Sequence, residues 1–309
     1  MKILIGYDGS VSSDAAIEDL GRAGLPHDAE ARVVCVFDHV LPHTHLADKP
    51  NTDPAWMSHL SEAQALNEFA VERLETLFPE WELTSEVLWG SPEKVLLYTA
   101  EAWQPDLIVV GSHGRSAVAR LFLGSTSLEL MHKASCSVRV VRSGVCVNGP
   151  IRIVIGNDGS MEAEEVVHAV ASRVWPPQTE VHVVAAVQTL VPIPTGLEVS
   201  TFQSEPAFDI VQQADEEEVT RLYDVCAHSA DTLRRAGLVP AFSVLEGIPG
   251  QILVEEAERL RADAIFVGAC RHGRLDHVLL GSVSTHVATH AHCAVEVVRR
   301  QEVVGERPE

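Results

Sequence analysis

ILIGYDGS at residues 3–10 returns as IVIGNDGS at 153–160, an offset of 150, and this echo decides the reading of the fold. Three more echoes follow at an offset of 157: WGSPEKVL (89–96) with EGIPGQIL (246–253), LFLGSTS (121–127) with VLLGSVS (278–284), and CSVRVVR (136–142) with CAVEVVR (293–299). One unit is therefore written twice, and the step from 150 to 157 places a net seven-residue insertion between the second and third strands of the second copy. A unit of about 145 residues has the size of a domain and excludes a short solenoid repeat. The expected division is a first domain at 1–142, a linker at 143–150 (SGVCVNGP, with two Gly and a Pro), a second domain at 151–300 and a polar tail at 301–309.

Within the first copy, apolar runs alternate with amphipathic stretches. Short strands are predicted at 3–7, 32–37, 83–88, 107–110 and 138–141, several of them apolar on consecutive residues and so covered on both faces. Parallel strands need helical crossovers. The spacing supplies them at 14–23, at 56–78 with Leu60, Ala63, Ala70, Leu74 and Leu77 on one face, and at 92–103, where Ser91 can cap and Pro92 fits the first helical position. A short helix after Gly124 completes the order. The fold class that follows is α/β: two tandem, doubly wound, parallel five-stranded sheets with helices on both faces. Each ligand crevice should lie at the carboxyl ends of the strands, where the winding reverses. The fifth strands, 138–141 and 295–298, are apolar edges that need covering, so the copies are expected to pack as an intramolecular pseudo-dimer.

Composition narrows the function. The net charge of -21 over 309 residues is spread over both halves with no basic stripe, which argues against nucleic acid and anionic membrane surfaces as partners. The opening MKILIGYDGS does not read as a signal peptide and no stretch has the length of a membrane span, so the expected address is cytoplasmic. Six scattered cysteines without a CxxC pair read as reduced thiols. His39, His43 and His45 crowd one loop with Asp48 nearby, but a metal site needs three or four converging ligands, and no transition-metal site is expected from the protein.

The chemistry concentrates after the fourth strand, in VGSHGRSAVARLFLGSTS (110–127). Gly111, Gly114 and Gly124-Ser125 have the spacing G-x2-G-x9-G-S. Glycines directly after a strand let backbone approach a ribose or phosphate. Gly124-Ser125 at a helix start offers free amides, hydroxyls and the positive end of a helix dipole to a polyphosphate. Ser125, Thr126 and Ser127 add three consecutive hydroxyls, and Arg115 a charge. No Gly-Lys-Ser/Thr of a P-loop is present, no GxSxG occurs, and nothing names a general base, so slow hydrolysis is the most that the loop supports.

On these motifs the chain resembles a tandem universal stress protein of the nucleotide-binding branch. The resemblance implies ATP, held with Mg²⁺, in the first copy, with Asp8 at the end of the first strand against the adenine and Val36 at the end of the second flanking the base. The second copy departs from the pattern. Asp158, Ala186, Gly268, Gly281 and Ser282 match, Val283 and Ser284 follow, but Gly114 becomes Arg271, with Gly273 two residues on and Arg274 and His272 nearby. Binding is therefore expected chiefly in the first copy. The resemblance implies an ATP-binding regulator that signals to a protein partner in the stress response. A nucleotide-free scaffold that dimerises and a slow adenine-nucleotide hydrolase stand as alternatives, and a homodimer of chains is compatible with each. The long loops at 38–55 and 188–213 are lids, partner surfaces or disordered segments.

Overall fold

The computed structural model describes residues 1–37, 54–114, 123–142, 149–188, 205–269 and 280–300. The first repeat runs β1 (Lys2–Gly6), α1 (Val11–Leu20), β2 (Glu30–Phe37), α2 (Pro54–Leu77), β3 (Glu82–Trp89), α3 (Pro92–Trp103), β4 (Leu107–Gly111), α4 (Ser125–Lys133), β5 (Ser137–Val141). The second repeats the order: β6 (Arg152–Gly156), α5 (Met161–Ala171), β7 (Glu180–Val187), α6 (Glu205–Arg235), β8 (Val239–Glu246), α7 (Pro249–Leu260), β9 (Ala264–Gly268), α8 (Ser282–His290), β10 (Ala294–Val298). Helix α6 has 31 residues against 24 in α2, so the seven-residue insertion lengthens this crossover.

Each repeat is a parallel five-stranded unit, and the two form a single ten-stranded sheet in the order β3-β2-β1-β4-β5-β10-β9-β6-β7-β8. The fusion comes at β5 and β10, which pair antiparallel with Val140 opposite Val295, Arg139 opposite Glu296 and Val138 opposite Val297. Two separate sheets would leave two apolar ladders without hydrogen-bond partners; one mixed sheet satisfies both. Helices α1, α2, α5 and α6 cover one face, where Ile3, Ile17, Leu74, Val166 and Leu233 share a core. Helices α3, α4, α7 and α8 cover the other, around Leu4, Leu96, Leu130, Leu253 and Val287. Both cores run unbroken across the seam between repeats.

Helix α3 starts and ends where the periodicity placed it, though Ser91 makes no side-chain capping bond; its hydroxyl turns to the Glu93 carboxylate. Helix α1 begins three residues earlier than predicted and stops at Leu20, because Ser10 caps it by accepting from the Ser13 amide at 3.2 Å. Ser160 caps α5 in the same way through the Ala163 amide. Among the described residues no helix is long and apolar enough to cross a membrane.

Candidate functional site

In a parallel sheet the carboxyl ends of the strands gather the starts of the following helices, and the gap is widest where the winding reverses, here between β1 and β4. A cleft of about 790 Å³ opens there. Its floor is the ends of β1 (Gly6, Tyr7, Asp8), β2 (Val34 to Phe37) and β4 (Val110, Gly111); its walls are α2, the start of α3 and the start of α4. Asp8, Val36, Gly111, Gly114, Gly124, Ser125, Thr126 and Ser127 all line it. Arg115 lies outside the described residues.

The three motif glycines meet different neighbours. A Cβ at Gly111 would lie 2.6 Å from the Ser12 carbonyl carbon and the Ser13 amide, so β4 abuts the start of α1 with no room for a side chain. A Cβ at Gly124 would lie 3.0 Å from the Ser112 carbonyl oxygen, to which the Gly124 amide donates at 2.7 Å. Gly114 is exposed, and among the described residues an added Cβ there would meet the Asp8 carboxylate at 3.2 Å and no backbone. The alanine variant at Gly111 is therefore expected to lose stability, by about 1–3 kcal/mol in chemical denaturation, because an overpacked backbone contact must move apart.

The loop between Gly111 and Gly114 is pinned from behind. Ser10 Oγ donates to the His113 carbonyl at 3.1 Å, Ser12 Oγ donates to the same oxygen, and the His113 amide donates to Ser12 Oγ at 3.2 Å. His113 Nδ1 sits 2.8 Å from Ser112 Oγ, while its Nε2 is buried beside the cleft without a hydrogen-bond partner among the described residues. Burial, with the Arg142 charge second, lowers the His113 pKa and favours the neutral ring.

Helix α4 has glycine at its N-cap, no side-chain capping bond and no acid in its first turn. Its first bond runs from the Leu128 amide to the Gly124 carbonyl, so the preceding amides, like those at any helix start, lack an intrahelical acceptor. The three hydroxyls divide. Ser127 is buried and donates to the Gly111 carbonyl at 2.8 Å, tying helix to strand, whereas Ser125 is exposed and Thr126 partly so. The sequence reading missed the contributions of α2 and α3 to the lining: His59, Glu62 and Leu66 from the former, Ser91 and Glu93 from the latter. The Ser91 hydroxyl holds the Glu93 carboxyl below its usual range. Tyr7 also lines the cleft and donates to Asp14 at 2.7 Å; burial, then Asp14, raises its pKa well above the ordinary phenol value. The described lining thus carries acids at Asp8, Glu62 and Glu93 and no lysine or arginine.

The second repeat keeps the frame and alters the lining. Ser284 donates to the Gly268 carbonyl at 2.7 Å as Ser127 does to Gly111, and Gly281 again stands at the N-cap of a helix whose first residues are Ser282 and Val283. Over the first strand, however, the place that Leu66 takes beside Gly9 is shared beside Gly159 by Arg221 and Val225. Arg221 donates to the Asp158 carbonyl at 3.0 Å and pairs with Glu218 at 2.7 Å. Ile248 replaces the Ser91 cap. Arg271, His272, Gly273 and Arg274 lie outside the described residues, as do His39, His43, His45 and Asp48; among the described residues no cluster of three or more metal-ligating side chains occurs.

A sequence profile of the Universal stress protein family matches residues 1–142 and 151–299. The chain belongs to the universal stress protein family. It is 30% identical over 311 residues to a universal stress protein of Mycolicibacterium smegmatis, covering 96% of each chain. A universal stress protein of Mycobacterium tuberculosis is 27% identical over 313 residues, covering 96% of this chain and 97% of that one. Among solved structures, a universal stress protein from Archaeoglobus fulgidus superposes over 97% of this chain and 96% of its own, with a TM-score of 0.63 at 19% identity, a likeness of fold.

Proposed function

We propose that this universal stress protein binds ATP in the cleft of its first repeat, acts in the cytoplasm, and uses occupancy of that cleft to change how it meets a protein partner. The observation that carries the reading is the convergence on one cleft of Asp8, Val36, Gly111, Gly114 and the start of α4. The residues fit the ligand in chemical kind. His113 Nε2, unpartnered among the described residues, and the exposed Gly114 leave polar atoms and backbone for a sugar or phosphate, Val36 and Leu66 supply apolar surface for a base, and the α4 amides with Ser125 and Thr126 meet phosphate oxygens. A polyphosphate bound beside Asp8, Glu62 and Glu93 needs a cation to offset the like charges. Mg²⁺ suits the place, because it keeps several waters and bridges phosphates with few protein ligands.

In the second repeat Arg221, paired with Glu218, shares with Val225 the place beside Gly159, and Arg271 stands at the position of Gly114, which supports one site per chain. The motif loop carries no P-loop lysine, so turnover is expected well below the roughly 1–10³ per second of typical enzymes. Native mass spectrometry of freshly purified protein, then of protein mixed with Mg·ATP, separates this reading from a nucleotide-free scaffold. A mass increment of one nucleotide supports binding; no increment under either condition supports the scaffold.

A further inference from the structure

The seam between the repeats holds contacts of two kinds. Some are indifferent to which repeat supplies them. Arg142, just after β5, donates to the carbonyls of Ala288 and Thr289 at the end of α8, at 2.8 and 2.7 Å, and its counterpart Arg299, just after β10, donates to the Met131 carbonyl in α4. Two like repeats could make this exchange equally well.

Other contacts need one repeat of each kind. Arg139 and Glu296 occupy the same position of the repeat and stand opposite each other in the β5–β10 ladder, with Nη1 3.2 Å from Oε2 and both side chains at most 1% exposed. Each is held by its own repeat as well. Asp19 takes Arg139 in two bonds, at 2.5 and 3.1 Å, and Arg173 reaches both oxygens of Glu296. The result is a buried row of alternating sign, Asp19–Arg139–Glu296–Arg173. Beside it, the Trp175 ring lies against Gly24 so closely that a Cβ there would sit 2.6 Å from ring carbons; the second repeat has Val174 at the equivalent place. Arg22 also crosses the seam to Asp263 at 2.9 Å; two first repeats could make the same pair through Asp106, so this contact counts only against two second repeats, which have Ser172 in place of Arg22.

We propose that this seam is a recognition surface for unlike repeats: the β5 edge of the first repeat accepts the β10 edge of a second repeat and rejects a copy of itself. Pairing two first repeats would set Arg139 against Arg139 where water has no access. Pairing two second repeats would set Glu296 against Glu296 and drive Trp175 into Val174. Like charges and a steric clash placed against the wrong partner are how an interface gains specificity beyond its attractive contacts. The seam then closes within one chain, or between the first repeat of one chain and the second of another, and not between like repeats.

The test uses the full-length chain, thermal unfolding and native mass. Arg139→Glu gathers three acids, Asp19, residue 139 and Glu296, and Glu296→Arg three bases, Arg139, residue 296 and Arg173, and each is expected to lower Tm by about 10 °C or more. The neutral double variant Arg139→Gln with Glu296→Gln removes the like-charge contact and is expected to lose less than half as much. When the Arg139→Glu and Glu296→Arg chains are unfolded together and refolded, the untouched Glu296 of the first can meet the untouched Arg139 of the second. A species of twice the 33.6 kDa chain mass should then exceed that formed by either chain alone. Wild-type Tm in the charge-reversed chains would overturn the proposal, as would a neutral double variant as unstable as the single ones. The refolding arm still decides if either variant fails to fold alone, since a mixture that yields no excess of paired chains also overturns it.

Discussion

Replacing Gly114 by leucine is expected to raise the dissociation constant of Mg·ATP at least about a hundredfold, a loss of about 2.7 kcal/mol, while thermal unfolding of the unliganded protein shifts by no more than a few degrees. The two effects separate because Gly114 is exposed at the mouth of the cleft and, among the described residues, an added Cβ meets a side-chain carboxylate, that of Asp8 at 3.2 Å, and no backbone. The new side chain asks a side-chain carboxylate to shift by a few tenths of an ångström, and the room it takes is the room proposed for the nucleotide. Gly111 gives the contrasting case, since a Cβ there strikes the backbone of α1 and costs stability before any ligand is added. Calorimetry and a thermal melt on both variants check the pair. Equal loss of stability at the two positions would mean that Gly114 serves the fold and not a ligand.

The second large effect is expected from Ser125→Ala combined with Thr126→Ala. Charge-assisted hydrogen bonds to phosphate contribute about 1.5–3 kcal/mol each, so losing one or two of them weakens binding by about tenfold to somewhat over ten-thousandfold. The N-cap of α4 is Gly124, with no side-chain capping bond, so the double variant leaves the helix start as it was. Ser127→Ala should behave differently. Its hydroxyl is committed to the Gly111 carbonyl, and its removal is expected to lower stability by about 1 kcal/mol with a smaller effect on affinity. Titration of ADP beside ATP locates the hydroxyls along the phosphate chain, because a contact to the terminal phosphate is silent for ADP.

Much of the architecture was legible because it is written in local patterns. Consecutive apolar residues marked strands covered on both faces, Ser91-Pro92 marked the start of α3, and the repeat offset placed the insertion that lengthens α6. The first-repeat motif glycines and hydroxyls were legible too, since they follow one another along a single strand-loop-helix segment. His59, Glu62 and Leu66 were not. They sit in the middle of a helix whose apolar spacing speaks only of its buried face, and it is the crossover that brings them over the cleft. Asp14 misplaced the start of α1 because an acid suits a first turn as well as a cap; the Ser10 hydroxyl decided it. The charge row at the seam had a sequence signal that strand patterning overlooked. CSVRVVR and CAVEVVR differ in charge at the position where the two edge strands meet, and an arginine and a glutamate in an otherwise apolar strand require partners once buried. The fusion into one sheet follows from those edges meeting, which no single repeat reveals by itself.

The proposed single ATP site in the first repeat is tested most directly by isothermal titration of the full-length protein with Mg·ATP, run in parallel on the Gly114→Leu variant. The account predicts one nucleotide per chain for the native sequence and no measurable heat of binding at the same concentrations for the variant. Two equivalent nucleotides per chain, or an isotherm unchanged by the substitution, would contradict it.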